Sequence, residues 1–135
     1  MSRILLVEDS KFLRLATERA LARAGYEVTS ACDGEEALHM AQEKLPDLIL
    51  LDMLLPKLSG PDVLKALKKD ALTSAIPVVV MTGMSQKNAA RLQEDGAFWF
   101  LEKSTLELDK GSENLLRALK EIFTKLNRAA RVTTA

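Results

Sequence analysis

The chain has 135 residues, a length that favours one domain with a sizeable hydrophobic core. Its 19 Lys and Arg residues are balanced by 19 Asp and Glu residues, so the bulk charge gives no support for a nucleic-acid or membrane partner. The single cysteine, Cys32, excludes an internal disulfide, and no apolar run is long enough for a signal-peptide core or a membrane span, so we expect a cytoplasmic protein.

Short apolar runs, typical of strands buried on both faces, alternate along the chain with amphipathic stretches at helical spacing. In chain order the pattern predicts strand 1 at residues 4–7, helix 1 at 11–24, strand 2 at 26–31, helix 2 at 33–44, strand 3 at 48–51, helix 3 at 61–69, strand 4 at 76–81, helix 4 at 85–94, strand 5 at 97–102 and helix 5 from residue 112. Residues 1–128 form the predicted domain, and residues 129–135 form a predicted fraying tail.

Polar residues at the predicted helix starts support these boundaries. Ser10, Ser85 and Ser112 are predicted N-caps, because a hydroxyl can accept a hydrogen bond from the unpaired N–H groups of the first turn. Asp33, with Glu36 three residues later, has the pattern of a capping box.

Strands that alternate with helices are typical of a parallel sheet joined by right-handed crossovers, and five such units predict a doubly wound α/β domain. In open sheets of this type, ligands bind beyond the carboxyl ends of the strands. Glu8 and Asp9 follow strand 1, and Asp52 follows strand 3. Thr82 and Lys103 follow strands 4 and 5, so the sequence predicts that all five side chains lie at one edge of the sheet.

This set of residues indicates phosphoryl chemistry. Three neighbouring carboxylates repel one another unless a cation neutralises them, and Mg²⁺ suits a site with few carboxylates that keeps waters and accepts a phosphate oxygen. A carboxylate beside Mg²⁺ and a lysine can attack phosphorus and form an acyl phosphate. Lys103 would offset the charge on the phosphoryl oxygens, and Thr82 could donate a hydrogen bond to one of them.

Over essentially its whole length the chain resembles the receiver domains of two-component response regulators. The resemblance rests on Glu8-Asp9 after strand 1, Asp52 with Pro56 and Gly60 after strand 3, Thr82-Gly83 after strand 4 and Lys103 after strand 5. It implies a stand-alone, chemotaxis-regulator-like receiver with a flavodoxin-like fold, in which five parallel strands in the order 2-1-3-4-5 are covered by five helices.

The resemblance also implies a role for each site residue. Asp52 would be the phospho-acceptor, Asp9 a direct Mg²⁺ ligand and Glu8 a ligand through water, while the main-chain carbonyl of Leu54 completes the set. A histidine kinase or a histidine phosphotransfer protein would supply the phosphoryl group. The domain would catalyse only its own phosphorylation and dephosphorylation, so we expect a signalling domain rather than an enzyme.

A conformational switch is implied as well. The Thr82 hydroxyl would move toward the phosphoryl group, Phe100 would turn into the vacated space, and the surface of helix 4, strand 5 and helix 5 would change its partners. Alternatively, Phe98 and Phe100 form one core-facing row of a strand, with Trp99 on the opposite side. We expect no effector domain after helix 5, so the output would come from a protein partner or from self-association.

The chain departs from the family pattern after Lys103. The family usually has a proline with a cis bond there, whereas this chain has Ser104, and we predict a trans bond because a cis bond before a non-proline residue costs about 2.5–4 kcal/mol. The connection at residues 104–111 is also longer than usual, which indicates either an unusual partner surface or, as we favour, a tolerated surface insertion.

Two alternative functions stay open at this point. The missing proline and the long connection fit a degenerate receiver that acts as a phosphorylation-independent interaction scaffold. A phosphatase with an aspartate nucleophile is disfavoured, because such enzymes need a second acid where this chain has Leu54.

His39 and Cys32 each have a functional interpretation that we weigh against a simpler one, and two apolar residues bear on the lifetime of the phosphoryl group. His39 is predicted to be a surface histidine rather than a phosphotransfer residue, and Cys32 a small buried hydrophobe rather than a redox sensor. Leu54 and Met84 would flank the phosphoryl group, and their apolar side chains predict slow hydrolysis of phospho-Asp52.

Overall fold

A computed structural model of the protein describes residues 2–53, 55, 58–82, 93–103 and 111–134. Its elements in chain order are β1 (Arg3–Val7), α1 (Lys11–Arg23), β2 (Glu27–Ala31), α2 (Gly34–Lys44), β3 (Leu48–Asp52), α3 (Gly60–Lys69), β4 (Val78–Thr82), β5 (Trp99–Glu102) and the C-terminal helix (Glu113–Thr134). The C-terminal helix corresponds to predicted helix 5.

The five strands form one parallel sheet in the order β2-β1-β3-β4-β5, which confirms the predicted doubly wound, flavodoxin-like topology. The register places Val7 beside Leu51, so the residues that follow on β1 and β3, Glu8 and Asp52, are neighbours. On the other side of β3, Asp52 pairs with Met81, next to Thr82. The carboxyl ends of the strands therefore meet at one edge.

The three central strands, β1, β3 and β4, are buried on both faces, which explains their nearly continuous apolar sequences. On one face, Leu5 and Ile49 belong to a buried cluster with residues of α2 and α3. On the other face, Ile4 and Leu48 belong to a second cluster that includes Leu21 of α1 and residues of the C-terminal helix. Side chains alternate between the faces because successive residues of a strand point to opposite sides.

The second cluster is bordered by aromatic side chains from β5, from the C-terminal helix and from Tyr26, which directly precedes β2. Trp99, the single tryptophan of the chain, packs against it, and Lys125 Nζ lies 3.6 Å from the centroid of the Trp99 ring. Tyr26 and Phe123 stack with their ring centroids 5.5 Å apart. These contacts attach the C-terminal helix to one face of the sheet near both outer strands, β2 and β5.

Two of the predicted caps are confirmed. The Ser10 hydroxyl accepts a hydrogen bond from the Leu13 N–H at the start of α1. The Asp33 carboxylate accepts one from the Glu36 N–H, which is one of the two hydrogen bonds of the predicted capping box. A further cap, the Ser59 hydroxyl at α3, was not predicted.

The boundaries differ from the predictions mainly in the strands. β4 begins at Val78 rather than at Ile76, because the Ile76 N–H bonds to the carbonyl of Thr73 in the preceding turn. Predicted helix 4, including its cap Ser85, lies outside the described residues except for Gln93 and Glu94, which are helical. The described part of the chain therefore contains four of the five predicted helices.

The C-terminal helix runs to Thr134 and includes most of the segment that we predicted to fray. The division of the chain at residue 128 stays a prediction. Among the described residues, no helix combines the length and the apolar character that a membrane span requires.

The surface position of His39 is confirmed, since its side chain is exposed and pairs with Glu43 on the same helix. The burial predicted for Cys32 is wrong. This residue follows the last position of β2 and is only half-buried, with its thiol 3.2 Å from Glu36 Oε2. The hydrogen bond to Glu36 raises the pKa of the thiol, which disfavours a reactive thiolate.

Candidate functional site

Asp52 is the last residue of β3, and its carboxylate is buried at the carboxyl edge of the sheet. Lys103, which directly follows β5, places Nζ 2.9 Å from Asp52 Oδ2 and 3.7 Å from Glu8 Oε1. The ammonium group of Lys103 therefore bridges the carboxylates of two strands, and the positive charge offsets part of their repulsion.

Asp9 joins these groups from the turn after β1. Carboxylate oxygens of Glu8, Asp9 and Asp52 all lie within 4.8 Å of one another. Glu8 and Asp52 are buried, whereas Asp9 is exposed, so the cluster opens to solvent on one side. Three hard oxygen donors with an open side fit Mg²⁺, which uses few carboxylates and retains several waters.

The pKa of Glu8 shows that a charged carboxylate is disfavoured at this buried position beside Asp52. Burial raises the pKa of Glu8 from 4.5 to about 7, helped by a hydrogen bond with Asp52 and by the charge of that carboxylate. Lys103 acts in the opposite direction but does not cancel the effect. In the metal-free protein, Glu8 therefore holds a proton for much of the time at neutral pH.

The turn between β1 and α1 carries two of the three acids. The Glu8 N–H still bonds to the carbonyl of Ala31 on β2, at 3.0 Å, and extends the sheet by one residue. Beyond that point, Nη1 of Arg14 lies 3.0 Å from the carbonyl oxygen of Glu8 and 3.4 Å from that of Asp9. Sequence reasoning did not identify Arg14, although its position one turn into the helix after an acid pair was a usable signal.

Gly60 lies against the backbone that follows β3. Its N–H bonds to the carbonyl of Met53 at 3.3 Å, and a Cβ at this position would lie 2.5 Å from the Met53 Cα. Only glycine allows this approach to the residue that follows Asp52, which gives a physical reason for the glycine in the motif. Leu54 and Pro56, of the same motif, lie outside the described residues.

Thr82 and Phe100 lie on one face of neighbouring strands. Val80 pairs with Phe100 and Thr82 with Glu102, and Val80 and Phe100 belong to the same hydrophobic cluster. Thr82, two residues after Val80, is buried on that face near the acidic cluster's edge of the sheet. The two residues of the predicted switch are therefore diagonal neighbours.

The alternative interpretation, in which Phe98 and Phe100 form one core-facing row, is wrong. Phe98 precedes β5 and packs against the second cluster, together with Trp99 and Leu101, because the strand and its alternation begin only at Trp99. Trp99 lies opposite Phe100, as predicted. Gly83, Met84 and residues 104–110 lie outside the described residues, so the trans bond before Ser104, the role of the long connection and slow hydrolysis stay predictions.

The comparisons with known proteins point in one direction. A family model described as "Response regulator receiver domain" matches residues 4–125. Response regulator PleD of Caulobacter vibrioides is 42% identical over 104 residues, which cover 76% of this chain and 23% of PleD. The chain thus spans much less than two thirds of that relative.

Solved structures agree. The chemotaxis response regulator CheY4 of Vibrio cholerae has a TM-score of 0.81 and 31% identity, over 90% of this chain and 98% of CheY4. The Mn²⁺-bound form of response regulator Rcp1 has a TM-score of 0.70 and 32% identity, over 81% of this chain and 86% of Rcp1.

Proposed function

The chain belongs to the response regulator receiver domain family, and from this premise we propose that it is a cytoplasmic signalling module whose Asp52 accepts a phosphoryl group. The donor is a histidine kinase or a histidine phosphotransfer protein. The observation that carries the proposal is the bridge from Lys103 to Asp52 and Glu8, with Asp9 completing an acidic cluster that opens to solvent.

The chemistry follows from these positions. A carboxylate oxygen of Asp52 forms a bond to phosphorus, and the bond from phosphorus to the donor's imidazole nitrogen breaks, its electron pair leaving with the imidazole. Lys103 moves its hydrogen bond from the carboxylate to a phosphoryl oxygen, where it stabilises the developing charge. Thr82, at the end of β4, donates a hydrogen bond to another phosphoryl oxygen.

Mg²⁺ would be held by Asp9 and Asp52 directly, by Glu8 through water and by the main-chain carbonyl of Leu54. When bound, it neutralises charge on the phosphoryl oxygens. The fit is supported by the oxygen donor set and by the raised pKa of Glu8, since a site that retains a proton to limit repulsion favours a cation in its place.

The output is a change of protein partner. The phosphoryl group shifts the equilibrium between two arrangements of Thr82 and Phe100, by an amount set by its difference in affinity for the two states. The surface that responds is formed by predicted helix 4, β5 and the C-terminal helix. It binds a protein partner or a second copy of the chain, without a role for nucleic acid or a membrane.

Intact-mass spectrometry after incubation with acetyl phosphate and Mg²⁺ tests the proposal. We expect one phosphoryl adduct on the wild type, none on Asp52→Asn, and none when the metal is chelated. Asp47→Asn is a matched control, since Asp47 precedes the same strand at its opposite end and accepts a hydrogen bond from the Arg3 N–H that an amide oxygen can also accept.

The absence of an adduct on the folded wild type, with both acetyl phosphate and a phosphorylated histidine donor, would contradict the proposal. Partner binding that is unaffected by Asp52→Ala would then favour the phosphorylation-independent scaffold. Turnover of a phosphomonoester would favour the phosphatase.

A further inference from the structure

The side chain of Arg14 binds two consecutive carbonyl groups of the turn between β1 and α1, and its main-chain N–H makes the first helical hydrogen bond of α1. Its Nη1 donates to the carbonyl oxygens of Glu8, at 3.0 Å, and Asp9, at 3.4 Å. Its main-chain N–H donates to the carbonyl oxygen of Ser10, at 2.8 Å. One half-buried residue thus spans the whole turn that carries the two acids.

The Arg14 side chain donates to main-chain carbonyl oxygens rather than to carboxylates, and this choice of acceptor indicates its role. A guanidinium group beside a turn that carries two acids could pair with their carboxylates, because charged pairs are the stronger hydrogen bonds. Here the ammonium of Lys103 makes the ion pairs to Glu8 and Asp52, whereas Nη1 of Arg14 donates to main-chain carbonyls. This arrangement fixes the backbone of the turn without using the carboxylate oxygens of Glu8 and Asp9 as its acceptors.

The turn needs such support because the sheet ends within it. The Glu8 N–H makes the last sheet-like hydrogen bond, to Ala31, and the Ser10 side chain already caps α1. Asp9 lies between them with an exposed side chain, so its distance from the buried Asp52 depends on the conformation of this turn.

We propose that Arg14 is a positioning residue of the acidic cluster, which sets the placement of Glu8 and Asp9 relative to Asp52 and thereby the affinity for a hard divalent cation. The inference rests on the proposed function in taking the cluster as a cation site. It assigns the role to the hydrogen bonds of Arg14 rather than to its charge. The two roles can be told apart because they predict opposite effects of an Arg14 substitution on cation affinity. Removing a positive charge near the cluster strengthens cation binding, whereas releasing the turn weakens it.

The test measures Mn²⁺ affinity by titration calorimetry for wild type, Arg14→Gln, Arg14→Lys and Arg19→Gln, an exposed control on the same helix. Outer-shell substitutions typically weaken metal binding 10–100-fold, so we expect a loss of about tenfold in Arg14→Gln. We expect a smaller loss in Arg14→Lys, which retains the charge and one donor group, and no change in Arg19→Gln. With acetyl phosphate, the Mg²⁺ concentration for half-maximal phosphorylation should rise in Arg14→Gln, with little change in the rate at saturating Mg²⁺.

Unchanged or tighter Mn²⁺ binding by folded Arg14→Gln overturns the inference, as does a wild type that binds no Mn²⁺. If Arg14→Gln does not fold, the Mn²⁺ affinity of Arg14→Lys is compared with that of wild type. Weaker binding by Arg14→Lys then supports the inference, and unchanged or tighter binding overturns it. A wild type that binds Mn²⁺ but is not phosphorylated on Asp52 contradicts the proposed function and leaves the Mn²⁺ comparison valid as a test of Arg14.

Discussion

The edge of the sheet where the strands begin and the edge where they end differ in how their polar groups are paired. At the edge where the strands begin, Asp47 accepts a hydrogen bond from the Arg3 N–H at 2.8 Å. Lys68 donates to the carbonyls of Ser74 and Ile76 at 3.2 and 2.7 Å. Burial lowers the pKa of Lys68, but its ammonium has two acceptors, and these hydrogen bonds attach the end of α3 to the turn before β4.

At the edge where the strands end, groups of like charge lie together. Glu8 and Asp52 are buried within reach of one another and of Asp9, with Lys103 as their shared cation. The first edge stabilises the fold, whereas the second contains repulsion that a ligand can relieve. Substitutions at the first edge should therefore change stability, and substitutions at the second should change phosphorylation and its dependence on pH and metal.

The largest expected effect is at Lys103. Lys103→Met removes the group that offsets charge at Asp52, and the loss of one such electrostatic contact typically lowers a rate by about 10²–10³-fold. We expect phosphorylation by acetyl phosphate, followed by mass spectrometry, to slow by about 100-fold. Lys65→Met, an exposed site on α3, is the control, and equal rates for wild type and Lys103→Met would contradict the assigned role.

Gly60→Ala should affect both stability and phosphorylation. Its Cβ would lie 2.5 Å from the Met53 Cα, so the backbone beside Asp52 must shift, at a cost of about 1–3 kcal/mol. Gly25→Ala is the comparison at the other edge, where the positive φ of 98° is strained but no atom lies within 4 Å. Chemical denaturation should show a loss of stability in both variants, but only Gly60→Ala should be phosphorylated more slowly.

Metal-free wild type should lose stability as the pH rises. Folding raises the pKa of Glu8 from 4.5 to about 7, so the folded state binds more protons than the unfolded state between these values. The stabilisation from this proton is complete below about pH 4.5 and is lost as the pH rises to about 7; because solvent screens part of the site, we expect about 2 kcal/mol rather than the full effect of the shift. Denaturation of wild type and Glu8→Gln between pH 5 and pH 8, with a chelator present, measures the difference.

The free energy of unfolding should fall less steeply with rising pH in Glu8→Gln than in wild type, because an amide does not titrate. Parallel stability curves for the two proteins would show that the acidic cluster is not the source of the pH dependence.

Thr73→Val should have the smallest effect and should leave the phosphorylation rate unchanged. The buried Thr73 hydroxyl donates to the carbonyl of Leu67 near the end of α3, at 2.7 Å. Its loss leaves that carbonyl without this donor and should lower the free energy of unfolding by about 1 kcal/mol. Slower phosphorylation of Thr73→Val would show that a substitution at the edge where the strands begin affects the acidic cluster at the opposite edge.

The sequence predicted the features that depend on residue type and position in the chain. The short continuous apolar run at residues 48–51 is typical of a strand with both faces buried, and parallel strands bring their carboxyl ends to one edge. Glu8, Asp52 and Lys103 could therefore be grouped without coordinates. The caps Ser10 and Asp33 were predictable because their hydrogen bonds are local.

Features that depend on packing or on side-chain direction could not be predicted. Arg14 could have paired with carboxylates, and only the coordinates show that Nη1 reaches carbonyls instead. Glu8 retains a proton because of how deeply it is buried, which the residue type does not reveal. Phe98 lies on the unexpected face because β5 starts one residue after it, and Cys32 is half-buried because it lies just past the end of β2.

The contact between Trp99 and Lys125 gives the molecule an optical readout of its own. Trp99 is the chain's only indole, it lies next to Phe100 in sequence, and its ring is covered by the ammonium of Lys125 on the C-terminal helix. Indole emission is sensitive to the polarity and charge around the ring. Selective excitation of the indole therefore addresses one chromophore, and its emission wavelength and lifetime report, without any label, on the junction between β5 and the C-terminal helix.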